Sequence, residues 1–193
     1  LMKQRSVFLV GCRATGKSTI GKILAARLDI PFVDTDALIE ACLGMTISEC
    51  FKRHGEPFFR DAESRSLTAL TERIRDGEEL VVATGGGIVL RKENAQQMLS
   101  FGTVVWLTAS PQSIRDRLEA DAPSTAASRP SLTGSSAVGE VEDVLRARAP
   151  VYEALASITC ATDDGRKPEA IAACNNSIVT IQYIQRINEV LTG

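Results

Sequence analysis

The chain has 193 residues, 44% hydrophobic and 24% charged, values that exclude wholesale disorder, collagen and coiled-coil organisation. A net charge of -2 argues against a nucleic-acid binder that works through a broad cationic face. One histidine and five cysteines without a C-x-x-C pair leave Ser-His-Asp catalysis, a disulfide framework and a thiolate zinc site without their parts.

The first predicted element is a strand over residues 5–10, apolar on both faces and ending in Gly11. Residues 17–28 place Ile20, Ile23, Leu24 and Leu28 on one helical face, and a short strand over Pro31–Val33 leads into Asp34-Thr35-Asp36. Thr46 and Glu49 have capping-box spacing and open a helix that Gly55 can close; Pro57 suits the first turn of the next, which runs to Asp76-Gly77. Strands are expected at Leu80–Thr84, before Gly85-Gly86-Gly87, and at Thr103–Leu107, whereas 88–102 receives no element.

Ser110 and Pro111 supply the N-cap and first position of a helix through Glu119. Residues 121–140, rich in Ser, Ala, Gly and Pro, read as a long mobile flap with a lone Arg129. A helix over 141–156 is expected despite Pro150, then a last strand at Ser157–Thr162, and an amphipathic helix marked by Ile178, Ile181, Ile184, Ile187 and Leu191. Strands alternating with helices imply a three-layer α/β domain with a parallel sheet. No apolar run reaches the roughly 18 residues of a membrane span and no leader pattern opens the chain, so the expected place is a reducing cytoplasm.

Gly11 to Thr19 reads GCRATGKST and fits G-x-x-x-x-G-K-[ST] between a strand and a helix. A random chain of this length would show the pattern in roughly one case in a hundred, and the strand–loop–helix context makes chance rarer still. The glycines let backbone N–H groups turn towards phosphate oxygens, and the helix N-terminus adds favourable partial charge. Lys17 would reach the β- and γ-phosphates and the Ser18 hydroxyl would ligate Mg²⁺. The loop establishes nucleoside triphosphate binding and leaves the acceptor open. A GTPase switch would carry D-x-x-G and N-K-x-D, and the chain has neither.

The sequence resembles the shikimate kinase family from Val7 to about Pro168. Five features carry the resemblance in the family's order: GCRATGKST, VDTD (33–36), FKRHGEPFFRDAE (51–63), GGG (85–87) and RAPVYEALA (148–156). The resemblance implies one kinase domain over 1–193 with a three-layer P-loop NTPase fold. Its parts would be a five-stranded parallel sheet, a helical substrate-binding region near 35–65 and a mobile lid near 121–140. It also implies ATP-dependent phosphorylation of the shikimate 3-hydroxyl, on the route to chorismate and the aromatic amino acids. ATP, shikimate and Mg²⁺ are the expected ligands, with no nucleic acid or membrane partner and a monomeric enzyme. A gluconate kinase, which also needs a carboxylate clamp, and a nucleotide-binding regulator without turnover are the alternatives.

By the same resemblance Gly11, Ala14, Thr15, Gly16, Lys17, Ser18 and Thr19 would hold ATP. Arg117 and Arg166 would lie on the adenine side, and Arg129 would reach the transferring phosphate; the flap has Ser131-Leu132 where the family has two leucines. Asp34 would bind Mg²⁺ through water, and Asp36 would hold the acceptor hydroxyl and accept its proton; either could instead cap the following helix. Arg60 and Arg148 would clamp the shikimate carboxylate, with Glu63, one turn on, holding Arg60. Phe51 and Phe59 would serve as ring contacts, core, or both, and Gly86 and Gly87 would contact the acceptor. His54 is expected on the surface at a helix end. Cys12, near a positive helix end, is either a reactive thiol or a tolerated variable position.

Overall fold

The computed structural model describes residues 6–121 and 141–172. The expected flap beyond Asp121, with Arg129, and the expected helix from Ile178 lie outside the described residues. Strands β1 (Val7–Val10), β2 (Phe32–Asp34), β3 (Val81–Ala83), β4 (Thr103–Thr108) and β5 (Ile158–Ala161) form one sheet in the order β2-β3-β1-β4-β5. Every ladder is parallel. Because β1 has β3 on one side and β4 on the other, the strand order reverses there, and a ligand crevice is expected at its C-terminal end.

Helices cover both faces, as a buried parallel sheet requires. Alternate residues of β1 serve different layers. Val7 and Leu9 pack with Ile20 and Leu24 of helix α1 (Lys17–Leu28), whereas Phe8 and Val10 pack against the opposite layer. That second layer draws Leu67, Leu70 and Ile74 from α3 (Ile47–Arg75), Met98 from α4 (Lys92–Phe101), Ile114 and Leu118 from α5 (Pro111–Ala120), and Tyr152 and Leu155 from α6 (Val141–Leu155). A third, smaller cluster of Ile39, Ile47, Cys50, Phe59 and Ala62 joins α2 (Thr35–Leu43) to the N-terminal part of α3, on both sides of Gly55.

The single long α3 is two helices meeting at a break. Gly55 adopts φ 79° and ψ 172°, and Pro57 follows two residues later, so the first helix stops where expected and the chain turns before Arg60. A 3₁₀ turn at Ile88–Leu90 and α4 fill the stretch to which the sequence assigned nothing. Asn94, buried at the start of α4, donates from Nδ2 to the Ile88 carbonyl at 3.0 Å and fastens that turn.

The capping box forms as its spacing predicts. Thr46 Oγ1 accepts from Glu49 N–H at 3.2 Å, and the Glu49 carboxylate accepts from Thr46 N–H at 2.9 Å. Replacing Thr46 by Ala should cost about 1 kcal/mol, or roughly 2–4 °C in Tm. The bond from Thr46 N–H holds the Glu49 carboxyl below its ordinary range, so its contribution is present above that range and lost as pH falls through the lowered value. Thr46→Ala keeps that N–H but loses the hydroxyl, which also donates to the Glu49 carboxylate at 3.1 Å, so thermal melts should show this part of the deficit shrinking as the medium becomes acidic.

Candidate active site

Three neighbouring strands end in register, and that brings the site together. Leu9 of β1 and Asp34 of β2 both pair with Ala83 of β3, so the residues just beyond each strand share one edge. Those continuations are the phosphate loop after β1, Thr35 and Asp36 after β2, and Thr84 to Gly87 after β3. Thr35, fully buried, accepts from the Gly85 N–H at 2.9 Å and ties two of them together. A cavity of about 280 Å³ opens there, lined among others by Lys17, Ser18, Asp34, Asp36, Phe59, Arg60, Gly86, Gly87 and Arg148.

The loop from Gly11 to Gly16 is wound tightly. Gly11, Ala14 and Gly16 all have positive φ (140°, 61° and 89°), which turns successive amides inward. A Cβ on Gly11 would run into the Leu107 carbonyl oxygen of β4, so the position has neither the backbone conformation nor the space for a side chain. Thr15 Oγ1, buried, donates to the Cys12 carbonyl at 2.8 Å. Lys17 opens α1, and its ammonium donates to the carbonyls of Gly11 and Cys12 at 2.8 and 2.7 Å. Thr19, exposed two residues on, also faces the cavity.

Ser18 Oγ donates to Asp34 Oδ2 at 2.6 Å, while Asp34 Oδ1 accepts from the N–H groups of Asp36 and Ala37 at 3.0 and 3.4 Å. Asp34 therefore does two things: one oxygen caps α2, and the other faces the hydroxyl beside Lys17. The capping alternative settles on Asp34 and leaves the Asp36 carboxylate directed at the Gly85 turn. A Cβ on Gly85 would stand 2.6 Å from Glu63 Oε1 and 2.7 Å from Asp36 Oδ1. Only a residue without a side chain lets the two carboxylates come so close to the backbone.

Arg60 lies on the second half of α3, its guanidinium held by two carboxylates. Nη1 donates to Glu63 Oε2 at 2.6 Å, and Nε and Nη2 donate to Glu56 Oε1 at 3.0 and 2.7 Å. Three of its five N–H groups are thus engaged, leaving one on each terminal nitrogen. A Cβ on Gly87 would overlap Arg60 Nη1, so the guanidinium rests against bare backbone. The Arg60 side chain is 12% exposed and that of Glu63 only 1%. Burial pushes the Glu63 carboxyl up and the like charge of Asp36 adds to this, while Arg60 opposes both. For Arg60, burial favours loss of charge, but Glu63 and Glu56 outweigh it and raise its pKa.

Arg148 of α6 completes the rim, its Nη1 3.5 Å from where a Gly86 Cβ would stand. Phe59, 4% exposed, belongs to the small helical core and also lines the cavity, so the two readings of that ring hold together. Phe51 packs on it with ring centroids 5.0 Å apart.

The other expected residues fall elsewhere. Arg117 is not among the cavity-lining residues; it donates to the Ala14 carbonyl at 3.0 Å and the Thr162 carbonyl at 2.7 Å, bracing the loop against the end of β5. Arg166 pairs with Asp164 through Nε at 2.7 Å and reaches the Ala161 carbonyl at 3.4 Å. His54 is exposed and stacks on Phe58. Cys12 is buried, and desolvation pushes its thiol up despite nearby Lys17, so the structure favours an inert thiol over a reactive one. Thr35, Glu56 and Tyr152 were assigned no role from sequence. Glu56 lies four residues before Arg60, and Tyr152 four after Arg148, the spacing that puts helical side chains on one face.

The shikimate kinase family model matches residues 13–180. Shikimate kinase of Bradyrhizobium diazoefficiens is 41% identical over 170 residues, 88% of this chain and 77% of that protein. Shikimate kinase from Acinetobacter baumannii in complex with shikimate superposes with a TM-score of 0.83 at 30% identity, covering 93% of this chain and 95% of that one. A gluconokinase from Sinorhizobium meliloti gives a TM-score of 0.54 at 17% identity over 98% of each chain, a likeness of fold alone. Cradle, strand edge and comparisons agree: the chain belongs to the shikimate kinase family, ATP-dependent kinases acting on shikimate as a small-molecule alcohol acceptor.

Proposed function

We propose that this cleft transfers the γ-phosphoryl group of ATP to the 3-hydroxyl of shikimate, with the loop holding the triphosphate and the Arg60 side the acceptor. The observation that carries the reading is the placement of Arg60, braced by two carboxylates against Gly87, in the same cavity as Lys17 and Asp36. Arg60 and Arg148 take the acceptor carboxylate, for which a guanidinium fork is the matching donor. Phe59 packs against the ring, and the amides of Gly86 and Gly87 approach it without interference from side chains. Asp36 orients the hydroxyl and receives its proton as the oxygen–phosphorus bond forms. The bond to the bridging oxygen breaks, and ADP leaves with the electron pair.

Lys17 exchanges its two loop carbonyls for phosphate oxygens, and the loop amides from Gly11 to Thr19 cradle the rest. Arg117 and Arg166 converge on the turn after β5, beside the loop carbonyl of Ala14, and are proposed to flank the adenine. Arg129, outside the described residues, stays the expected partner of the transferring phosphate.

Mg²⁺ is proposed as the divalent ion, held by Ser18 and, through water, by Asp34. These are hard oxygen donors, and Mg²⁺ takes few protein ligands. Among the described residues no group of three or more His, Cys, Asp or Glu could hold a metal without the nucleotide. When bound, the ion neutralises phosphate charge that Lys17 alone cannot offset. A single kinase domain, cytoplasmic and monomeric, completes the proposal; the pI of about 5.6 speaks against a broad cationic face for nucleic acid, and no helix among the described residues is long and apolar enough to cross a membrane.

Coupled ADP release with shikimate, quinate and gluconate offered separately tests the acceptor; turnover should require shikimate, and equal turnover with gluconate would refute the assignment. Lys17→Met should fold by circular dichroism yet lose phosphoryl transfer, and a folded variant turning over near the normal rate would refute the cradle. Asp36→Asn should lower kcat by roughly 10²- to 10⁴-fold with a small change in shikimate KM. Gly87→Ala should push the Arg60 guanidinium from its seat and raise shikimate KM about tenfold, the loss of one charge-assisted contact, with ATP KM little altered.

A further inference from the structure

Tyr152 has no part in the scheme above, yet its hydroxyl sits where the site's components meet. The side chain is fully buried on α6, with its ring stacked on Trp106 of β4 at a centroid distance of 5.8 Å. The hydroxyl donates to the Gly86 carbonyl at 2.5 Å, across 66 residues of sequence. It also receives a weak bond from the Cys12 thiol of the phosphate loop at 3.9 Å. A Cβ on Gly86 would stand 3.5 Å from this hydroxyl, 3.5 Å from Arg148 Nη1 and 3.2 Å from the Gly11 carbonyl oxygen. One phenol therefore touches the acceptor turn and the nucleotide loop, and its ring lies one helical turn beyond the carboxylate-binding Arg148.

Both hydrogen bonds depend on protonated groups. Burial raises the Tyr152 phenol far above its usual range and also pushes up the Cys12 thiol, so both keep their protons and the chain runs from thiol to phenol to carbonyl. Fixing a peptide's carbonyl fixes the plane of that peptide, including the N–H of the next residue. The peptide after Gly86 carries the Gly87 N–H, one of the groups assigned to the acceptor.

We infer that Tyr152 is a positioning residue for the acceptor: by holding the Gly86 carbonyl it aims the Gly87 amide, and through the same helix Arg148, at the shikimate ring. The inference rests on the proposed acceptor site. Its role differs from plain packing because the hydroxyl, and not the ring, carries the effect. Tyr152→Phe keeps the ring and removes the donor. It should raise shikimate KM about three- to tenfold, the range for losing one buried neutral hydrogen bond, while kcat and ATP KM stay within about twofold.

Ile74→Ala, in the same apolar layer but remote from the turn, is the comparator; it should lower Tm without moving shikimate KM. Independently of how Tyr152→Phe folds, 4-aminophenylalanine and 4-methylphenylalanine can be placed at 152. They match in size, and only the first donates. The amino variant should have the lower shikimate KM by at least about threefold. Equal KM values for the two, or a Tyr152→Phe enzyme that loses Tm but keeps its shikimate KM, would overturn the inference. Absence of shikimate phosphorylation by the unaltered enzyme would instead refute the acceptor assignment itself, so the two failures are distinguishable.

Discussion

The structure depends on how closely charged side chains approach a turn that has none of its own. Asp36 and Glu63 crowd Gly85, and the Arg60 guanidinium lies on Gly87. Side chains at those glycines would push the charged groups apart and out of the cleft. Taking an ion pair such as Arg60–Glu63 out of water costs several kcal/mol per ion before pairing returns it, so stability alone gives little reason to bury it. The arrangement supports the proposed role as a binding device: two carboxylates hold the guanidinium in one plane and leave two of its N–H groups, the number a carboxylate of the acceptor would take.

That device is delivered by the sheet. β2, β3 and β1 end level with one another, which sets Asp36, the glycine turn and the phosphate loop side by side. Thr35 and Tyr152 then fasten the glycine turn from opposite sides, one accepting its N–H at Gly85 and the other donating to its carbonyl at Gly86. The helix break at Gly55 re-aims α3 so that Arg60 and Glu63 face the cleft while Leu67, Leu70 and Ile74 continue into the main core. Packing and chemistry thus share one helix, divided along its length.

Much of this was legible in the residues. The phosphate loop, the capping box at Thr46, the stop at Gly55 and the alternation of strands and helices each rest on local chemistry, and each appears at or within a residue or two of its expected place. Helix α4 was not legible, because KENAQQMLSF buries fully only Asn94 and Met98, with Ala95 and Phe101 half-buried beside them, and one of those four is polar, so its apolar face is weak. Thr35 and Tyr152 escaped for another reason: their partners lie in the glycine turn, and only the fold brings those groups together, whereas Glu56 sits four residues before Arg60 on the same helix, a spacing the sequence already contained. The helix cap at Asp34 also needed the fold to be assigned: one carboxylate oxygen caps α2, while the other accepts from the Ser18 hydroxyl.

The central claim is that Arg60 holds the acceptor and not the nucleotide. Calorimetry on Arg60→Ala, titrated separately with shikimate and with an ATP analogue, tests it directly. Losing a charge-assisted bond should weaken shikimate binding by roughly ten- to a hundredfold, with nucleotide affinity nearly unchanged. An unaltered shikimate Kd, or equal weakening of both ligands, would contradict the account.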